Sequence, residues 1–219
     1  MENLEDALKF KMWRGEIEKR GLQLEGYKEL ATVRKKNGEV LFSFLETRVR
    51  ETEHSRYLPG YLMLRGQFVS VLTCLIDQES QASFLVLVSQ RRIASGAIFY
   101  EHPCGMCDNV SDIYSVALHE LAEETGLEIE RSQLILLNEQ PLYTSPGLLD
   151  EAGYFFFCEL RLSAQEIQNL DKQLLGVSSE NEHIITRVVP LEEAPALMRN
   201  ANALLNYYLY LSYKSKPRN

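Results

Sequence analysis

Residues 105–127 read Gly105-Met-Cys-Asp-Asn-Val-Ser-Asp-Ile-Tyr-Ser-Val-Ala-Leu-His-Glu-Leu-Ala-Glu-Glu-Thr-Gly-Leu127. The spacing predicts a helix from about Asp112 to Thr125, stopped by Gly126. At about 100° per residue, Ile113, Val116, Ala117, Glu120 and Glu124 fall on one side of it, with Glu123 at the border of that stripe. An amphipathic helix normally sets its carboxylates opposite the apolar residues. Here two carboxylates one turn apart extend the stripe that faces the interior. Like charges so placed repel and raise one another's pKa unless a cation lies between them. Two readings stand at this point: a structural ion pair or simple exposure at the helix end, and a site for a hard divalent cation.

Outward from this helix the chain alternates between strand and helix signals. Phe68–Ile76 and Phe84–Val88 are β-rich and nearly continuous in hydrophobicity, as strands covered on both faces are. Further strands are expected at Ala97–Tyr100, Leu134–Leu137, Tyr154–Leu162 and Ile184–Val189, with Ser163 capping a helix from Ala164 to about Leu170. Helices are expected over the first twenty residues, Leu191–Met198 and Asn202–Tyr213. Tyr27–Val33 and Val40–Leu45 bracket the turn signal Lys36-Asn-Gly38 and read as a hairpin. Arg48–Arg56 is strongly charged and reads as a twisted edge strand or a loop. The sum is an α/β sandwich with a mixed sheet.

The 219 residues, 45% hydrophobic and 25% charged, have the composition of a soluble globular protein. A formal net charge of −8 argues against a nucleic-acid partner, whose backbone needs a basic footprint. No apolar run approaches the roughly 18 residues of a membrane span, and the charged start MENLEDALKFKMWRGE lacks the core of a signal peptide. The expectation is a cytoplasmic protein with no membrane partner. Cys74 and Cys158 sit in apolar strands, and Cys104-Gly-Met-Cys107 is a lone C-x-x-C without the second pair that zinc wants.

The stretch from Gly105 to Leu127 resembles the Nudix box, whose pattern is Gly, five residues, Glu, seven residues, then Arg-Glu-aliphatic-x-Glu-Glu-x-Gly-aliphatic. Gly105, Glu120, Glu123, Glu124, Gly126 and both aliphatic positions match. Ser111 stands where the family has its first Glu, and His119 where it has Arg. Three further segments resemble the ADP-sugar and ADP-ribose pyrophosphatases of that family. These are Ser89-Gln-Arg-Arg92 with Tyr100-Glu-His-Pro-Cys-Gly105, Ser145-Pro-Gly-Leu-Leu-Asp-Glu151, and Glu180-Asn-Glu-His-Ile.

The resemblance implies a Nudix-type α/β/α sandwich over 66–213, an N-terminal helix and β-rich extension over 1–65, and a disordered tail over 214–219. It implies Glu120 and Glu124 as principal metal ligands, with Glu123 helping and the Cys104 carbonyl completing the shell. The ion implied is Mg²⁺, with Mn²⁺ as a substitute. Glu182 is then the base that activates water, supported by Glu180. Arg92 binds the diphosphate or terminal ribose, Glu101 a sugar hydroxyl or the metal shell, and Asp150 borders the substrate. The implied substrate is a nucleotide sugar of the ADP-ribose or ADP-glucose type, and the extension implies a homodimer. Ser111 and His119 motivate an alternative, a Nudix-fold sensor that binds a nucleotide with weak or no turnover. A third reading is a metal or redox module on Cys104 and Cys107.

Overall fold

A computed structural model describes residues 2–108, 110–176 and 183–217; Glu180 and Glu182 lie outside them. The chain divides into two compact units. The first comprises Met1–Phe68, Met106–Ser111 and Pro141–Gly153; the second comprises Val69–Gly105, Asp112–Gln140 and Tyr154–Asn219.

In the first unit a 3₁₀ turn at Leu4–Asp6 leads into α1 (Leu8–Lys19), followed by β1 (Leu22–Arg34), β2 (Val40–Glu51) and β3 (Tyr61–Leu64). The three strands form an antiparallel sheet in that order. The expected hairpin is present and longer than its apolar runs suggest. Arg48 and Arg50 both reach Glu25 on β1, at 3.0 and 2.7 Å, so opposite charges extend the ladder through a segment with little apolar patterning. Leu4, Ala7 and Phe10 pack on Val40, Leu45 and Leu64. Lys9 is buried beside them, and its ammonium lies 3.0 Å from Asp108, the pairing that a buried charge requires. β3 has no counterpart among the sequence expectations.

The remaining elements are β4 (Gln67–Asp77), β5 (Ser83–Arg91), β6 (Ile98–Glu101), β7 (Cys104–Met106), α2 (Ile113–Thr125), β8 (Ile135–Leu136), β9 (Leu142–Tyr143), β10 (Ala152–Leu162), α3 (Ala164–Asn169), β11 (Leu174–Leu175), β12 (Ile184–Pro190), α4 (Ala194–Leu197) and α5 (Ala201–Ser215). Their sheet runs β11-β12-β5-β4-β10-β8, with β6 on β5, β7 on β4 and β9 on β10. In the second unit, one face carries Leu72, Cys74, Leu85, Leu87 and Phe157 against Ala203, Tyr207 and Tyr210 of α5. The opposite face carries Leu75 and Val86 against Ile167 of α3, and Tyr114 of α2 packs edge-on to Phe156. Alternate residues of one strand thus feed two cores, which is why β4 reads as an unbroken apolar run. Each fully buried Leu or Phe contributes about 1.5–3 kcal/mol. The expected α/β/α sandwich with a mixed sheet is what the chain forms.

Differences from expectation are local. β8 is two residues where four were expected, and only Ala194–Leu197 of the 191–198 stretch is helical, with a proline in its first turn. α5 continues to Ser215, two residues into the basic end.

The helix α2 begins and ends on side-chain and glycine signals. Asp112 is its N-cap, accepting from the Tyr114 N–H and from the Ser115 hydroxyl, and Gly126 closes it at φ 71°, a left-handed conformation suited to glycine. Arg131 donates to the Asp112 carboxylate at 2.7 Å. That bond, followed by the Ser115 hydroxyl, holds the Asp112 carboxyl down to about 2. A carboxyl lowered in the folded state stabilises above its unfolded pKa and loses this effect as pH falls through the folded value. Asp112→Ala is therefore expected to melt about 2–4 °C lower at pH 7. The gap to the unsubstituted chain should close between the model-peptide value of 3.8 and about 2. Thermal unfolding followed by circular dichroism at pH 7, 4, 3 and 2 measures this.

Candidate active site

The second unit gathers its chemistry where β6 and β7 pass the C-terminal half of α2. Gly105 lies on β7 with Glu120 over it. A Cβ built on Gly105 would stand 2.0 Å from both Cδ and Oε1 of Glu120, so the carboxylate fills the place where any other residue would carry a side chain. One turn along, Glu124 is 7% exposed, and its carboxylate accepts the Cys104 N–H at 3.1 Å. The two glutamates on the apolar stripe are thus both drawn against the strand. Glu123 is half-buried and faces His119 at 3.3 Å. Ser111 is exposed.

Cys104 lies between these groups. Burial pushes its thiol well above the ordinary range, and the Glu124 and Glu101 charges add to this while Arg92 opposes it. A thiol held protonated in this way is a poor nucleophile. Neither Cys104 nor Cys107 forms a disulfide.

A second group of charges lies beside the first. Arg92 leaves β5 in a turn in which its carbonyl accepts from Gly96 and its N–H donates to Ala97. Its guanidinium donates to Glu101 through Nε at 3.0 Å and Nη2 at 2.5 Å. Burial works against this cation, but the bonds to Glu101 outweigh it and raise its pKa. Glu101 is 5% exposed, and its other oxygen accepts Asn200 Nδ2 at 2.5 Å. Among the described residues, no three His, Cys, Asp or Glu side chains already stand together as an ion-holding group.

The sequence-derived set is therefore brought together in part. Arg92, Glu101, Cys104, Glu120, Glu123 and Glu124 share the second unit. Asp150 belongs to the first, where it accepts the N–H groups of Arg65 and Gly66 at 2.6 and 3.1 Å. Burial raises its pKa, with those two backbone bonds opposing the shift. Its neighbour Glu151 pairs with Arg65 at 2.5 Å. Glu180 and Glu182 lie outside the described residues.

Sequence reasoning passed over two residues here. Asn200 caps α5 by accepting from Asn202, a local signal visible before an apolar-periodic run, but its bond to Glu101 spans 99 positions and leaves no local trace. His102 is 1% exposed, and neither ring nitrogen has a hydrogen-bond partner in the structure. Burial lowers its pKa to about 3, with the Ala203 backbone pulling the other way.

Comparison with known proteins gives a consistent picture. A family model described as the NUDIX domain matches residues 66–209. The chain is 27% identical over 168 residues to Nudix hydrolase 14, chloroplastic, of Arabidopsis thaliana, covering 73% of this chain and 54% of that protein. It is 25% identical over 144 residues to nucleoside diphosphate-linked moiety X motif 6 of Xenopus laevis, covering 61% of this chain and 62% of the relative. The chain thus spans between half and two thirds of the length of these two curated relatives. A crystal structure of an ADP compounds hydrolase superposes with a TM-score of 0.59 at 14% identity, over 88% of this chain and 93% of that one, a likeness of fold.

The buried imidazole of His102 has a measurable consequence. The folded chain keeps His102 neutral down to about pH 3, while the unfolded chain takes up the proton near histidine's ordinary value of 6.5. Stability is therefore lost as pH falls through that window. His102→Phe should flatten the profile by up to one proton's slope, about 1.4 kcal/mol per pH unit. Urea unfolding at half-unit steps from pH 7 to pH 3 reads it, and an unchanged slope would show that the ring titrates normally in the fold.

Proposed function

This chain belongs to the Nudix family, and from that premise we propose that it hydrolyses the diphosphate bond of a nucleoside diphosphate sugar of the ADP-ribose or ADP-glucose type. The products are a nucleoside monophosphate and a sugar phosphate. The observation that carries this reading is the seating of two carboxylates against one strand. Glu120 fills the space over Gly105, and Glu124 is held by the Cys104 N–H.

Nudix hydrolases generally use a divalent metal, and the residues here fit one. The donors are carboxylate and carbonyl oxygens, the hard ligands that Mg²⁺ prefers, and the cradle at Gly105 is one that a Cβ would fill. Glu120, Glu124 and the Cys104 carbonyl would hold the ion, with Glu123 beside them; Mn²⁺ would serve in its place. When bound, such an ion neutralises charge on the diphosphate and lowers the pKa of a water.

The chain's own residues do the rest. Arg92 keeps Nη1 outside its pair with Glu101, and a planar guanidinium so oriented suits a phosphate or a ribose hydroxyl. Glu101 fixes that orientation. Water oxygen bonds to one phosphorus as the bridging P–O bond breaks, and the leaving oxygen departs on the second phosphate. The proton released from water passes to a general base, which the family resemblance assigns to Glu182 with Glu180 in support. The family resemblance assigns Asp150 to the substrate border; its carboxylate is tied to the backbone at Arg65 and Gly66.

The ADP compounds hydrolase of similar fold supports the choice of substrate class. A homodimer and a cytoplasmic setting belong to the same proposal. Leu30, Val33 and Tyr61 of the first unit are exposed, side chains that a second copy would cover. No helix among the described residues is long and apolar enough to cross a membrane.

Incubation with Mg²⁺ and ADP-ribose, ADP-glucose, GDP-mannose or NADH, followed by chromatography for released monophosphate, tests the reading. Turnover of an ADP-sugar is expected, lowered about 10²- to 10³-fold by Glu124→Gln. Gly105→Ala should lose comparable activity while its circular dichroism is unchanged. Micromolar binding of a panel member with no turnover would replace the hydrolase by a sensor.

A further inference from the structure

The contact between Asn200 and Glu101 joins the start of α5 to the edge of the candidate site. Glu101 is a buried carboxylate with two demanding oxygens. Oε2 takes both donors from Arg92, and Oε1 takes Asn200 Nδ2 at 2.5 Å. Without the amide, Oε1 would be buried without this partner, and the carboxylate could turn about its last bond to share both oxygens with the guanidinium. An end-on pair through Nη1 and Nη2 would turn Nη1 inward and free Nε, a different outward set from the present one, in which Nε and Nη2 meet a single oxygen.

Asn200 is itself fixed. Its Oδ1 accepts the Asn202 N–H at 2.8 Å as the N-cap of a 15-residue helix, and that helix is packed into the core through Ala203, Tyr207 and Tyr210. The amide plane is therefore clamped at one end by a helix and at the other by a carboxylate. Arg92 by contrast stands in an exposed turn, with its side chain 46% exposed. A half-exposed arginine has many rotamers to lose on binding an anion, and each one removed beforehand lowers the cost of binding.

We propose that Asn200 is a positioning residue of this site, orienting Glu101 and through it the Arg92 guanidinium toward an anionic phosphate or a ribose hydroxyl. The inference rests on the hydrolase reading for the identity of the ligand, but not for the geometry. Asn200 acts in the ground state as well as during turnover, so its signature is on binding. The amide donor is what matters, and the capping oxygen is a separate function of the same side chain.

Two substitutions separate those functions. Asn200→Ser keeps an oxygen able to cap α5 and removes the donor to Glu101; Asn200→Ala removes both. With Mg²⁺ and the ADP-sugar turned over fastest, Asn200→Ser is expected to raise KM about fivefold to tenfold, with kcat within about twofold. Its melting temperature should stay near that of the unsubstituted chain, while Asn200→Ala falls by about 2–4 °C. In an Arg92→Ala background, Asn200→Ser should add nothing to KM. An unchanged KM in Asn200→Ser, or the same rise with Arg92 already removed, overturns the inference. If the unsubstituted chain turns over no panel member, the hydrolase reading fails and the positioning role is read by nitrogen-15 NMR. The Arg92 Nε–H resonance should be protected from exchange in the unsubstituted chain and lose that protection in both Glu101→Gln and Asn200→Ser. Protection retained in Asn200→Ser overturns the inference independently of activity.

Discussion

The missing side chain at Gly105 is the constraint on which the site depends. A carboxylate on a helix normally keeps its distance from a neighbouring strand, because the strand's Cβ atoms occupy the gap. At Gly105 that gap is open, and Glu120 fills it so closely that a Cβ would overlap Cδ and Oε1 at 2.0 Å. The consequence reaches beyond one residue. Once Glu120 is seated, Glu124 one turn later is brought to the Cys104 N–H, so the register of α2 against β7 is fixed by two polar contacts as well as by apolar packing. Glycine here serves close approach rather than an unusual φ.

Much of this was legible because the deciding signals are local. Gly126 marks the end of α2 within the sequence itself, and the helical azimuth of Glu120 and Glu124 follows from a periodicity of about 3.6 residues. The unbroken apolar run of β4 follows from a strand covered on both faces. What was not legible is non-local. Nothing near Asn200 predicts Glu101, nor does anything near Lys9 predict Asp108, since each pair is joined only by the fold. The long hairpin was underestimated for a related reason. Its outer half is held by Arg48 and Arg50 on Glu25, and cross-strand charge pairs carry no apolar alternation to read. The acidic loop at Asp150 shows a carboxylate whose use is ambiguous in sequence. An acid in a glycine-containing loop suggests a ligand, yet this one accepts two backbone N–H groups, a use of carboxylate that sequence alone does not distinguish from binding.

Two buried carboxylates of the site follow one pattern. Glu124 and Glu101 each have bonds that offset their desolvation. His102 has none at either ring nitrogen. Its cost is met by staying neutral, which a histidine can do at small expense near neutral pH because its ordinary pKa already lies near 6.5. A buried Lys or Glu at the same place would face a far larger penalty. The residue between Glu101 and Pro103 must therefore be one that tolerates a dry environment without demanding an ion pair.

The departures from the family pattern at Ser111 and His119 bear on this arrangement unevenly. They replace one acid and one base together, so the formal charge they contribute is unchanged with histidine neutral. What they alter is the support of Glu123, whose neighbour one turn back is now an imidazole at 3.3 Å rather than a guanidinium. The His119 side chain is 71% exposed, so its contact with Glu123 is screened by water and weak. Glu120 and Glu124 have supports of their own. One rests on the space over Gly105 and the other on a backbone N–H, and neither of those depends on a side chain that the substitutions removed. Any loss from Ser111 and His119 should therefore fall on Glu123, and the two carboxylates seated on the strand should keep their places.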